Sequence, residues 1–89
     1  MAKELAVSLV AADRPLWTGA ASMVVVKTAE GEIGLLAGHE PMLAILVPGH
    51  VRITPIEGPV VTAETTEGGF LSIEGDAVMV VVRNATLES

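Results

Sequence analysis

The chain has 89 residues, 51% of them hydrophobic and only 2% aromatic, so it reads as one domain with an aliphatic core. A formal net charge of -6 argues against a nucleic-acid partner, whose phosphates need basic side chains, and against electrostatic adsorption to anionic lipid. Cysteine is absent, which excludes a disulfide framework and a thiolate metal site, and no charge-free stretch reaches the roughly 20 residues of a membrane-spanning helix.

Met1-Ala2-Lys3-Glu4 carries no targeting pattern. After it come short apolar runs separated by turn residues. Leu5–Val10 ends at Asp13-Arg14-Pro15, and Ser22–Thr28 ends at Ala29-Glu30-Gly31. Ile33–Leu36 stops at Gly38-His39-Glu40-Pro41, Met42–Val47 at Pro48-Gly49, and Val51–Ile56 at Glu57-Gly58-Pro59. Val60–Thr66 precedes Glu67-Gly68-Gly69, and Phe70–Ile73 and Ala77–Val82 flank Gly75-Asp76. Valine dominates these runs, and its stiff χ1 suits a pleated surface. Many short strands with regular turn punctuation predict an all-β sandwich or barrel, and no window predicts a long amphipathic helix.

Alternation is strict in Leu71-Ser72-Ile73-Glu74, and Val60–Thr65 mixes polar and small residues as a solvated or edge strand does. Met23–Val26 and Met42–Val47 are apolar on both faces of any strand they form. One face of each belongs to the core. The other needs a cover, and Met23, Val25, Met42 and Val47 are the candidates for an apolar docking face.

Chemistry-bearing residues are few. His39, Glu40 and His50 are the residue types of a zinc site, but no ligand spacing supports one, and both histidines sit in turn-like contexts. Ser8, Ser22, Ser72 and Ser89 lack a nucleophile elbow. Gly31-Glu32-Ile33-Gly34 with Gly38 superficially resembles a phosphate loop but lacks the Gly-Lys-Ser/Thr ending and a following helix, so a hairpin explains the glycines better. Trp17, the only tryptophan, reads as a core or rim aromatic or as an interface anchor. Glu30, Glu32 and Glu40 cluster around one loop and read as a solvated acidic surface or a docking element. These patterns predict no catalytic residue, metal or cofactor.

The segment from Gly31 to Ile53, reading GEIGLLAGHEPMLAILVPGHVRI, resembles the signature of F-type ATP synthase epsilon subunits. That signature runs GExGxxPGHxPLL, a short apolar stretch, and PGxxRI. Leu9-Val10-Ala11-Ala12 followed by Leu16-Trp17-Thr18-Gly19 is similar to the family's opening strand and turn. Gly68-Gly69-Phe70-Leu71-Ser72-Ile73 and Ala77–Val82 are similar to its closing strands. The resemblance implies a flattened antiparallel β-sandwich of about ten short strands over residues 1–85. Residues 86–89 then form a short tail where the family's helical hairpin begins, and a chain ending at Ser89 lacks that inhibitory arm.

The resemblance also implies a non-catalytic rotor subunit that docks on gamma and on the c-ring, coupling proton flow to ATP synthesis. It places Glu30, Gly31 and Glu32 at the c-ring, and His39, Pro41, Met42, Ala44 and Val25 at gamma. Membrane association then arises only through the complex, at the cytoplasmic face of the bacterial cell membrane. Ala37 stands where the family commonly has proline, and Arg83 where an aspartate is common. The rival reading is a free-standing β-sandwich module that oligomerises through its apolar strands.

Overall fold

A computed structural model describes residues 4–12 and 14–88. Among them are nine strands and no helix: β1 (Leu5–Ala11), β2 (Arg14–Thr28), β3 (Gly31–Leu36), β4 (Met42–Leu46), β5 (Gly49–Pro55), β6 (Val61–Thr65), β7 (Gly69–Glu74), β8 (Ala77–Val82) and β9 (Ala85–Glu88). The strands join in the order β1-β8-β7-β4-β2-β5-β6-β9, with β3 on β2 and β1 also on β2. This single sheet folds over itself into two layers, flattened to 37 × 26 × 21 Å. Layer A holds β4, β7, β8, β1 and the first half of β2. Layer B holds the second half of β2 with β3, β5, β6 and β9.

The hinge between the layers is β2, 15 residues long. Leu16-Trp17-Thr18-Gly19, read from the sequence as a turn, lies inside it and pairs with β1. The pairing of β2 with β5 shifts register between Ala21 and Met23. Ala21 is buried on one side of that shift, and Val24 and Val26 on the other. A strand alternates with period 2, so an uninterrupted β2 that buries residue 21 turns 24 and 26 outward. The extra residue of the bulge flips the phase, and both halves face one core.

That core is aliphatic. Leu5, Val7 and Leu9 of β1 meet Val78, Val80 and Val82 of β8, Leu71 and Ile73 of β7, and Val51 and Ile53 of β5, all at most 2% exposed. Each such side chain contributes about 1.5–3 kcal/mol relative to leaving it in water. Trp17 is half-buried against this cluster, its ring 3.0 Å from where a Cβ on Gly19 would stand.

The all-β sandwich that the sequence suggests is present, with two features that the sequence did not show. β1 and β8 pair in parallel, because β2 carries the chain into layer B and it returns to layer A only with β4 and β7. β9 pairs with β6 across the boundary expected at residue 85, so strand structure continues to Glu88. Gly69 pairs with both Leu46 and Val82, and a Cβ there would run into the Val81 carbonyl oxygen. Its neighbour Gly68 (φ 78°) sits as tightly against the Leu46 carbonyl, and its N–H donates to the buried Thr65 hydroxyl at 3.0 Å.

Candidate docking surfaces

The structure scatters the residues that could do chemistry. His39 lies in the β3–β4 loop, its Nδ1 2.8 Å from the Glu40 carbonyl oxygen. His50 stands on β5 opposite Glu64, with Nε2 3.9 Å from Oε2 and both side chains about half exposed. Among the described residues no three His, Asp or Glu side chains gather around a point that could hold a metal. Ser8 and Ser72 lie on strands of layer A, and the Ser22 hydroxyl donates to the Thr54 carbonyl at 3.3 Å. Ser89 is outside the described residues. Gly31 and Gly34 belong to β3, which pairs along β2 instead of cradling an anion.

The acidic hairpin has a defined shape. The Thr28 hydroxyl donates to the Gly31 carbonyl at 2.9 Å and accepts from the Glu30 N–H at 3.2 Å. One side chain thus closes the β2–β3 turn from both sides, and Gly31, at φ 124°, takes a conformation that other residues rarely adopt. Glu30 is held exposed at the tip and Glu32 exposed on β3, opposite Lys27. Glu40 is exposed in a different connection, the β3–β4 loop, so it does not join this pair.

The residues expected to form one apolar docking face separate. Met42 packs against the core and Ala44, two residues on, shares its side of β4. Val25 and Met23 lie on the outside of layer B, half-buried beside Gly34, and Val47 sits where the chain crosses to layer B, its N–H donating to the Lys27 carbonyl at 3.1 Å. The reason is parity. β4 enters with Met42 inward, so the alternation turns Leu43 and Ile45 out. They are 68% and 70% exposed.

These two side chains begin a surface that sequence reasoning missed. The strand registers align Ile45, Phe70, Val81 and Val10 in one row across β4, β7, β8 and β1. Leu43, Ser72, Met79 and Ser8 form the next row. Neither row contains a charge. Phe70 and Met79 are 41% and 47% exposed. Beyond Met79 lies a shallow trough over Ala6, Ser8, Thr18, Ala20 and Ala77, and charge returns there, with Glu4 and Glu74 at its edge. The strict alternation of Leu71-Ser72-Ile73 is the signal that could have turned Phe70 outward. What the sequence lacked was the pairing that sets Phe70 beside Ile45.

The outer side of layer B is different. Glu32, Lys27, His50 and Glu64 stand on its neighbouring strands β3, β2, β5 and β6, and Val25 faces Arg52, which faces Thr62. Only Met23, Val25 and Leu36 form an apolar corner there.

Comparison with known proteins follows the same lines. The family model for the β-sandwich domain of the ATP synthase delta/epsilon chain matches residues 4–88. The ATP synthase epsilon chain of Micrococcus luteus is 45% identical over 84 residues, 94% of this chain and 91% of that one. The epsilon chain of Corynebacterium diphtheriae is 47% identical over 83 residues, 92% of this chain and 67% of that one. Among solved structures, a chain of the Euglena gracilis mitochondrial ATP synthase (OSCP/F1/c-ring) superposes with a TM-score of 0.86 at 26% identity. The match covers 94% of this chain and about half, 53%, of that one. A chain of the Tetrahymena thermophila central stalk and c-ring shares the fold, with a TM-score of 0.77 at 17% identity over 96% of this chain and 67% of that one. The signature motif, the two-layer sandwich and these likenesses agree: the chain belongs to the ATP synthase delta/epsilon family, as an epsilon chain whose residues 4–88 form the family's β-sandwich domain.

Proposed function

We propose that this chain works as a non-catalytic central-stalk subunit, docking on gamma through the outer face of layer A and on the c-ring through the β2–β3 hairpin. The family supports the rotor role and the absence of catalysis. The observation that carries the gamma assignment is the charge-free surface of Leu43, Ile45, Phe70 and Met79 on a protein of net charge -6. Exposed apolar rows of this kind mark partner surfaces. The loop bearing His39 and Pro41 leads straight into β4 and continues that surface. Met42 and Ala44 shape it from beneath. Val25, on the other layer, lies outside it.

Glu30, Gly31 and Glu32 form the proposed c-ring contact, held by Thr28 in a tight turn that presents carboxylates to a polar or basic loop. Among the described residues no helix is long and apolar enough to cross a membrane. Membrane association through the complex, at the cytoplasmic face of the bacterial membrane, fits both contacts. The test is binding to ATP synthase depleted of its epsilon subunit. Ile45→Lys should sharply reduce recovery of the chain on the enzyme while changing its thermal midpoint little. Undiminished binding by that variant places the gamma contact elsewhere.

A further inference from the structure

The β7–β8 connection is a two-residue hairpin, Gly75-Asp76, in which both residues have positive φ, 57° and 65°. A tight hairpin of this hand needs left-handed backbone at both central positions, and glycine is the residue usually favoured at the second. Here the second is Asp76, the one non-glycine residue with positive φ among those described. Aspartate tolerates this conformation better than most residues but still at some cost, so its side chain should have a use there.

The use is visible. Asp76 Oδ1 accepts the Gly38 N–H at 2.7 Å across 38 residues of sequence. Its main-chain carbonyl accepts the Ala6 N–H at 2.9 Å. One turn residue therefore ties the β3–β4 loop to β7, β8 and the start of β1. Gly38 is itself at φ 90° and lacks a side chain, so its N–H is the handle by which that loop is held. The next residue closes the loop on itself, the His39 N–H donating to the Leu36 carbonyl at 3.2 Å. Downstream lie Pro41 and then Leu43, the first outward residue of the apolar face.

We propose that Asp76 is a positioning residue for gamma docking: its carboxylate fixes the Gly38–Pro41 loop in the conformation that gamma meets, so that binding does not have to order it. The proposal rests on the assignment of that loop to the gamma contact. Ordering a loop before binding removes an entropic cost that otherwise weakens the complex.

Three variants separate the latch from the turn. Asp76→Gly removes the acceptor and relieves the positive-φ strain. Asp76→Ala removes the acceptor and keeps the strain. Asp76→Asn keeps both an acceptor oxygen and tolerance of the conformation. Affinity for epsilon-depleted enzyme is measured alongside amide hydrogen exchange at Gly38 and thermal unfolding. Asp76→Gly and Asp76→Ala should each weaken binding about fivefold, the value of one exposed hydrogen bond, and speed exchange at Gly38. Asp76→Asn should restore both, and Asp76→Gly should unfold no lower than Asp76→Ala.

Normal affinity in Asp76→Gly despite fast exchange at Gly38 overturns the proposal, as does failure of Asp76→Asn to rescue. A control pair, His39→Ala and Pro41→Ala, isolates the underlying assignment. If neither weakens binding, the loop is not at gamma. If both weaken it while Asp76→Gly does not, the loop assignment stands and only the latch falls.

Discussion

The two outer faces of the sandwich are built from the same kind of strand and end up chemically opposite. On layer A, Ile45, Phe70, Val81 and Val10 line up across four strands without a charge between them. On layer B, Lys27, Glu32, His50, Arg52 and Glu64 interrupt the apolar corner of Met23, Val25 and Leu36. Both layers bury an inner face of valine, leucine and isoleucine in the same core, so the inner faces do not distinguish them. The difference lies wholly in the residues that alternation turns outward. A face that meets only water is served by interleaved charge, which also blocks edge and face association. Rows kept free of charge, like those through Ile45 and Leu43, are destabilising to expose, and such surfaces mark sites that a partner covers.

The sharpest way to break this comparison is at the root of layer A. Gly69→Ala sets a Cβ against the Val81 carbonyl and the Val82 Cα, backbone atoms of β8 with no flexible group to yield. It should cost more than about 3 kcal/mol, lost from the midpoint of denaturant unfolding, and should remove the apolar face with the strand that carries it. A variant of near-native stability means that β7 has room to move and that the registers of layer A are looser than described.

Next in size is the face itself. Ile45→Lys should weaken binding to epsilon-depleted enzyme by about 2–4 kcal/mol, as for a central interface side chain, with little change in unfolding midpoint because its side chain is already 70% exposed. Phe70→Lys should weaken binding as much but also lower the midpoint, since Phe70 is only 41% exposed. The readout is equilibrium binding by a surface method. The same change on layer B, Val25→Lys, should shift affinity by less than about 0.5 kcal/mol. Equal losses on the two layers erase the distinction drawn here.

A smaller effect is expected at the acidic hairpin. Thr28→Val keeps the shape of the side chain and removes the hydroxyl that closes the turn through Gly31 and Glu30. It should cost about 1 kcal/mol of stability by thermal unfolding and speed exchange of the Glu30 amide. Smallest is Arg83→Ala. The Arg83–Glu67 pair, 3.7 Å apart with side chains 78% and 52% exposed, should contribute nothing measurable beyond scatter in a double-mutant cycle with Glu67→Ala.

The sequence by itself determined the class of fold. Valine-rich runs, glycine and proline at the turns, the scarcity of aromatics and the absence of cysteine left a small aliphatic β-domain as the consistent answer. Gly75-Asp76 and Ala29-Glu30-Gly31 mark two of its turns by their residues alone. The run from Gly31 to Ile53 named the family because its glycines, prolines and histidines recur at fixed spacing.

The tertiary structure alone decided which residues point where. Met42–Val47 is apolar at every position, so period-2 alternation offers two equally hydrophobic faces, and only pairing with β7 turns Leu43 and Ile45 outward. The continuity of β2 through its bulge and the parallel pairing of β1 with β8 were equally invisible, because they depend on strands far apart in the chain. The Asp76–Gly38 tie is of the same kind. Local pattern fixes what a strand can bury, and only its distant partners fix which side it buries, because a backbone ladder pairs with any sequence while side chains choose the register.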